Sequence, residues 1–487
     1  MYRKKWFLSC VFVLFLHGGS AFSQQSCNTP LEITAEQLSK EQNRVQSLLK
    51  DLKKGDFFAL ELQRIEAGKS GNERIAAYKS LAKQVVSVLQ IQAELNWLDL
   101  QTVKAALDAM KMRPDFDSAK AESKYKELIS LVKQGFNGIY QNDKNAWENA
   151  QKALKLKKEL MLLSPDVMID RLLTVKYELG ERAPFVMAES LGVQPNNWSN
   201  QTSASRNNFK AELMEVSGLK SGSPQIRPLF KPIMSGAAIT DLAPHWDGKR
   251  LLFTSLDTLR RWQVFEIGVD GSDLKQITQV NEKDLEFFDA AYLPDGRIVA
   301  VCNIGYHGVP CVNGGDQVGN TVLYDPKTGS LRRLTFDQDA NWNPIVLPNG
   351  KIMYTRWEYT DLTHYFSRIV MHMNPDGTEQ KSLYGSGSMF PNSIFDMKPL
   401  PQKTNRFVGI ISGHHGVARS GRMIIFDPAK SRMEEKGMIQ ELPFGGRKII
   451  PEIKDELVDG VWPQFIKPYP LTDETYLVTA KLSPNSL

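Results

Sequence analysis

The chain has 487 residues, of which 42% are hydrophobic and 24% charged, the composition of a globular protein long enough for more than one domain. Its formal charge of +5 includes Arg3, Lys4 and Lys5 at the extreme N-terminus. The remainder is near neutral, which excludes a basic surface for nucleic acid.

Residues 1–23 read as a secretory signal peptide. Arg3, Lys4 and Lys5 form a basic start, an apolar run follows from Trp6 to Leu16, and Ala21-Phe22-Ser23 fits a cleavage site before Gln24. The run is too short to span a bilayer well. The residues before Cys27 lack the leucine of a lipoprotein box, so no lipid anchor is expected. No later segment is apolar enough to cross a membrane, and a periplasmic or extracellular location follows. Export implies an oxidising compartment. Cys10 leaves with the signal, so Cys27, Cys302 and Cys311 remain, a count that suggests one pair and one spare.

Residues 28–165 form a helical region. Glu, Lys, Gln, Ala and Leu dominate, and apolar residues recur at three- and four-residue steps between Asn72 and Met110 and again between Asn145 and Leu163. Arg113-Pro114-Asp115 breaks the pattern. The spacing predicts three or four antiparallel helices, serving as a bundle or spacer, or as a partner-binding coiled coil.

Residues 166–240 read as irregular strands, and residues 241–487 carry a repeat. "HWDGKRLLFTS", "YLPDGRIVAVCN" and "VLPNGKIMYTRW" each place an Asp-Gly or Asn-Gly turn before an apolar alternating strand. Gly248, Gly296 and Gly350 stand roughly 50 residues apart, and each unit continues into a second turn and strand. Two hairpins per period match a four-stranded propeller blade. A divergent unit runs from Asn405 to Gly437, and another starts at Trp462 and stops after one or two strands. The expected fold is mainly β, a propeller of six or seven blades preceded by the helical region. The final unit stops where another hairpin is due, so either residues after Asp166 complete it or the chain is truncated at its C-terminus.

The repeats resemble the WD40-like (PD40) units of TolB-type periplasmic propellers, whose pattern is seen from Asp270-Gly271 to Thr278 and at Leu334-Thr335. "LPNGKIMYTRWEYTD", "MNPDGTEQKSLYG", "ISGHHGVARSGRMIIFDP" and "GVPC" together look like the non-haem relatives of the hydrazine synthase alpha subunit, with its middle domain at 166–240. The helical region lies outside that resemblance. Hydrazine synthase works through c-type haem, which is attached at Cys-x-x-Cys-His. That motif is absent from this sequence, so no haem or other cofactor is expected.

His414 and His415, between Gly413 and Gly416, suit a metal or ligand contact at a strand end, or a bond to a neighbouring blade. Adjacent strand residues face opposite ways, so both would reach one metal only from a kinked loop. Arg356, Trp357 and Glu358 follow a strand. Arg and Glu can clamp a carboxylate or sugar while Trp stacks on a ring, or all three can lock adjacent blades. Asp247, Asp270, Asp295 and Asp376 stand one per turn, too isolated for a calcium loop. Neither a G-x-S-x-G elbow nor an HExxH motif is present. In "CNIGYHGVPC", Cys302 and Cys311 are read as a disulfide that presents His307, with a metal site or free thiols as the alternatives.

These readings lean toward a scaffold that holds an unidentified protein, small molecule or glycan at the propeller face. The alternative is an enzyme, redox or carbohydrate-directed, with its site on that face or in a missing C-terminal domain.

Overall fold

A computed structural model describes residues 10–13, 35–52, 56–179, 197–207, 209–221, 223–359, 367–385, 390–416, 419–443 and 451–484. Most of the expected signal peptide, including its cleavage site, and Cys27 lie outside these. The chain divides into two compact units, with the helices in one and the sheets in the other.

Among the described residues the helical unit holds six α-helices, Ala35–Asp51, Asp56–Gly68, Gly71–Asn96, Leu100–Met110, Ser118–Gln134 and Lys144–Leu162, rather than three or four. Short breaks divide what reads as continuous periodicity. Asp99 ends one run by accepting the backbone amides of Gln101 and Thr102, which starts the next helix. Asp117 and Asp143 cap the following two in the same way. The central helix buries Tyr78, Leu81, Ala82, Val85, Val88 and Leu89, the stripe its spacing predicts.

The second unit is a five-bladed β-propeller. Four blades are four-stranded antiparallel sheets. The first comprises Thr240–Pro244, Arg250–Leu256, Trp262–Gly268 and Lys275–Gln276. The second comprises Phe287–Tyr292, Ile298–Cys302, Asn320–Tyr324 and Leu331–Arg333. The third comprises Asn341–Val346, Ile352–Trp357, Arg368–Met373 and Lys381–Tyr384. The fourth comprises Ile394–Pro399, Phe407–Ile411, Arg422–Phe426 and Met438–Leu442. The fifth is Gln464–Pro470 beside Thr475–Lys481, whose outer edge pairs in parallel with Cys10–Val13.

The expectation of six or seven blades is corrected to five. The stretch before Thr240 folds as a separate three-stranded sheet, Arg171–Leu179, Phe209–Ser217 and Gln225–Phe230. Leu213 and Phe230 of that sheet pack on Phe253 and Phe265 of the first blade, so it covers a blade without adding one to the ring.

The repeat motif maps onto one face of the propeller. Asp247, Asp295 and Asn349 each accept the backbone amide two residues on, while Gly248, Gly296 and Gly350 adopt positive φ. Asp270 and Asp376 make the same closure with Ser272 and Thr378. The side chains of Ser272, Arg297 and Thr378 hold the Asp270, Asp295 and Asp376 carboxyls below the usual range, and the Lys249 amide does so for Asp247. The strands that end at Cys302, Trp357 and Ile411 run away from those hairpins and end on the opposite face, the loop face.

Candidate functional site

Every site residue expected from the sequence lies on that loop face, but in different environments. Trp357 ends a third-blade strand and is 1% exposed. Its ring stacks on Trp342 at 6.2 Å, and the Arg368 guanidinium sits 4.4 Å from its centroid. With Val309, Val318 and Phe395 it forms a wedge spanning the second, third and fourth blades. Arg356 forms ion pairs with Asp337 at 3.3 Å and Glu358 at 3.0 Å. These residues serve as the inter-blade lock.

His414 and His415 sit on a bend with their rings edge to face, centroids 4.2 Å apart, yet they differ in exposure. His414 is 2% exposed, with its ring 5.6 Å from Trp357. Burial, then the nearby Arg368 and His415, push its pKa down to about 2, so the imidazole is neutral. The His415 side chain is 46% exposed, and Nδ1 lies 2.8 Å from both carboxylate oxygens of Asp455. The His415 amide also donates to Asp455 Oδ1 at 3.0 Å, which fixes the ring's orientation from two sides. Trp198 stands edge-on to it at 5.0 Å. The result is an oriented imidazole–carboxylate pair beside an indole, a surface that can exchange protons or hold a polar ring.

His307 is separate from this group, with Nε2 3.0 Å from the Gln338 carbonyl. Cys302 is a buried free thiol, where a bridge to Cys311 was expected. Its side chain points into the core with Ile298, Ala300 and Tyr324, and burial raises its pKa to about 12. Cys311 lies in the short helix Pro310–Val312, and its side chain is outside the described residues. Among the described residues no group of three or more His, Cys, Asp or Glu side chains could hold a metal ion.

Sequence reasoning missed the segment Asn197–Gln201, which belongs to no repeat. Asn197 accepts from the Arg419 amide at 2.6 Å and donates to the Gly413 carbonyl at 2.5 Å. The Asn197 carbonyl accepts from Arg368, and the Ser199 carbonyl accepts from Arg419 and the Trp342 indole. Asn200 donates to the Gln317 carbonyl, and Gln201 to Asp241. Four of its residues are fully buried, so this strap ties the first four blades together on the loop side. A run of small amides around one tryptophan was its only signal.

Also unforeseen is a ring at the propeller axis. Asp241, Asp289, Asn343, Asp396 and Lys467 occupy equivalent positions on the five innermost strands, and all five have φ between 49° and 57°. Asp241, Asp289, Asn343 and Asp396 each sit where the strand bulges, a left-handed kink that aims the side chain along the ring. Asp289 accepts the Asn343 amide at 2.5 Å, Asn343 accepts the Asp396 amide at 3.1 Å, and Asp396 accepts the Lys467 amide at 3.2 Å. Lys467 Nζ lies 2.8 Å from Asp396 and 3.7 Å from Asp241. Burial and then Asp241 push the Asp289 carboxyl up to about 6, while Asp396 and Asp241 hold Lys467 firmly charged. Arg419, buried over Trp342 and Phe395, adds a second cation that these aspartates feel.

No family model and no curated protein matches the chain. Solved structures do. Hydrazine synthase of Kuenenia stuttgartiensis aligns with a TM-score of 0.46 and 13% identity, over 64% of this chain and 42% of that one. TolB of Acinetobacter baumannii aligns at 0.30 and 17%, over 45% and 46%. An oligogalacturonate lyase of Vibrio parahaemolyticus aligns at 0.32 and 12%, over 56% and 74%. The chain thus spans under half the length of the first two. Among the described residues no helix is long and apolar enough to cross a membrane.

Proposed function

We propose that this chain is an exported β-propeller protein, related to the hydrazine synthase alpha subunit but without c-type haem, that binds a partner or small ligand at its loop face. The contact centres on His415, Asp455 and Trp198. The observation that carries this reading is the exposed, doubly anchored His415–Asp455 pair beside an indole. The other candidates, Arg356, Trp357 and His414, are consumed by contacts within the propeller. A photo-crosslinking amino acid placed at Glu358 on the loop face, and at Asp295 on the hairpin face, tests it in the exporting cell. A discrete adduct from Glu358 alone, lost in a His415→Ala background, supports the reading. Equal labelling from both faces argues against it.

One observation favours the enzyme alternative. Asp339 on the same face is 4% exposed, and burial raises its carboxyl to about 6. Its Oδ1 has no hydrogen-bond partner among the described residues. A carboxyl that titrates at about 6, close to the working pH, is suited to hand over a proton in general-acid chemistry on a glycan. Glycan cleavage that disappears in Asp339→Asn would select this reading over the scaffold.

A further inference from the structure

The propeller axis carries a second site, remote from the loop face. Below the ring, toward the hairpin face, lies a cavity of ≈ 120 Å³ walled by Ala243, Pro244, Ala291, Pro344, Ile345 and Tyr469. On the loop side Gln201 and Arg419 stand over the ring, so the cavity opens toward the hairpins. Lys398 and Lys467 both line it, from neighbouring blades. Lys467 is committed to Asp396 and Asp241. Among the described residues no hydrogen bond or ion pair reaches the Lys398 ammonium. An apolar wall and a second fixed cation are the two conditions that turn a lysine into a nucleophile at neutral pH.

We propose that Lys398 is a nucleophilic amine that forms an imine with a small aldehyde admitted through the hairpin-side mouth. The neutral amine's lone pair forms the C–N bond as the carbonyl π pair moves to oxygen. The nitrogen gives up its protons, the oxygen leaves as water, and the C=N bond remains. The charged and titratable groups facing Lys398 are Asp241, Asp289, Asp396 and Lys467, with Tyr469 at the mouth. Burial first, and Lys467 next, hold its pKa below the ordinary lysine value, against the opposing pull of Asp396 and Asp289. The cavity admits only molecules of a few heavy atoms.

The test is reductive methylation of the intact protein with limiting formaldehyde and cyanoborohydride, mapped by peptide mass from pH 6 to pH 10. Lys398 is expected to react about tenfold faster than the exposed hairpin lysines Lys249 and Lys327 at pH 7, with the ratio falling toward one by pH 10. A ratio at or below one at pH 7, or one that does not change with pH, overturns the proposal. Lys467→Met should bring the Lys398 rate down toward the surface value, and an unchanged rate in folded Lys467→Met protein overturns it too. Should that variant not fold, the wild-type pH profile decides alone.

Discussion

Replacing Asp289 by Asn should stabilise the propeller at neutral pH. The Asp289 carboxyl is buried, with its pKa raised from 3.8 to about 6 by desolvation and by Asp241. A carboxyl whose folded pKa exceeds its unfolded one costs stability above the folded value, and the cost disappears below the unfolded value. The shift of about 2 units corresponds to about 3 kcal/mol at pH 7.5, falling to about 1 kcal/mol at pH 4.5. Asn at this position keeps an oxygen for the Asn343 amide and Nδ2, which Asp289 now accepts at 2.5 and 3.0 Å. Its own amide can then donate where the carboxylate could not. For a unit of this size the gain is about 5 °C in Tm at pH 7.5. Thermal melts of both proteins at pH 7.5 and 4.5, followed by near-ultraviolet dichroism, measure it. A variant less stable than wild type at pH 7.5, or an advantage equal at both pH values, would refute the reasoning.

Three further outcomes are expected. Arg419→Met should cost about 3–5 kcal/mol in urea unfolding, because it leaves the Ser199 carbonyl short of a donor and the axial aspartates short of a cation; a loss under about 1 kcal/mol would contradict the role given to the strap. Asp455→Asn should change stability by less than about 1 kcal/mol, since its pair with His415 is solvent-exposed, yet it should abolish any His415-dependent adduct. Cys302 should resist maleimide at pH 8 in the native protein and react fully once unfolded without reductant; failure to react when unfolded would reinstate the bridge to Cys311.

The propeller was legible because its signals are local. An Asp-Gly turn needs positive φ within two residues, and the strand that follows alternates on its own account. The axial ring was not legible, because its five positions share a backbone kink rather than a residue type, and they are filled by Asp, Asp, Asn, Asp and Lys. Arg368 and Arg419 were passed over for a related reason. Their partners at Asn197 and Ser199 lie 171 and 220 residues away in the chain, and no pattern links them. The blade count failed because the strands before Thr240 alternate like blade strands, and alternation does not say whether a sheet joins a ring or lies on one. His414 and His415 are neighbours in sequence, and only burial separates the locked one from the available one.

The axial ring also gives the propeller a direction. From Asp289 onward each inner residue offers an acceptor to the backbone of the next blade, and the series stops at Lys467, which can only donate. The last joint, from the fifth blade back to the first, is therefore a long-range charge contact at 3.7 Å instead of a hydrogen bond. Three of the five joints are hydrogen-bonded links of this kind, and at the joint of the first and second blades the Asp289 amide donates to the Thr254 hydroxyl instead of Asp241. The Asp241 side chain is only 6% exposed, so salt screens the fifth-to-first joint little, and it is removal of the ammonium in Lys467→Met that would loosen the seam between Thr240–Pro244 and Gln464–Pro470 before any other pair of blades.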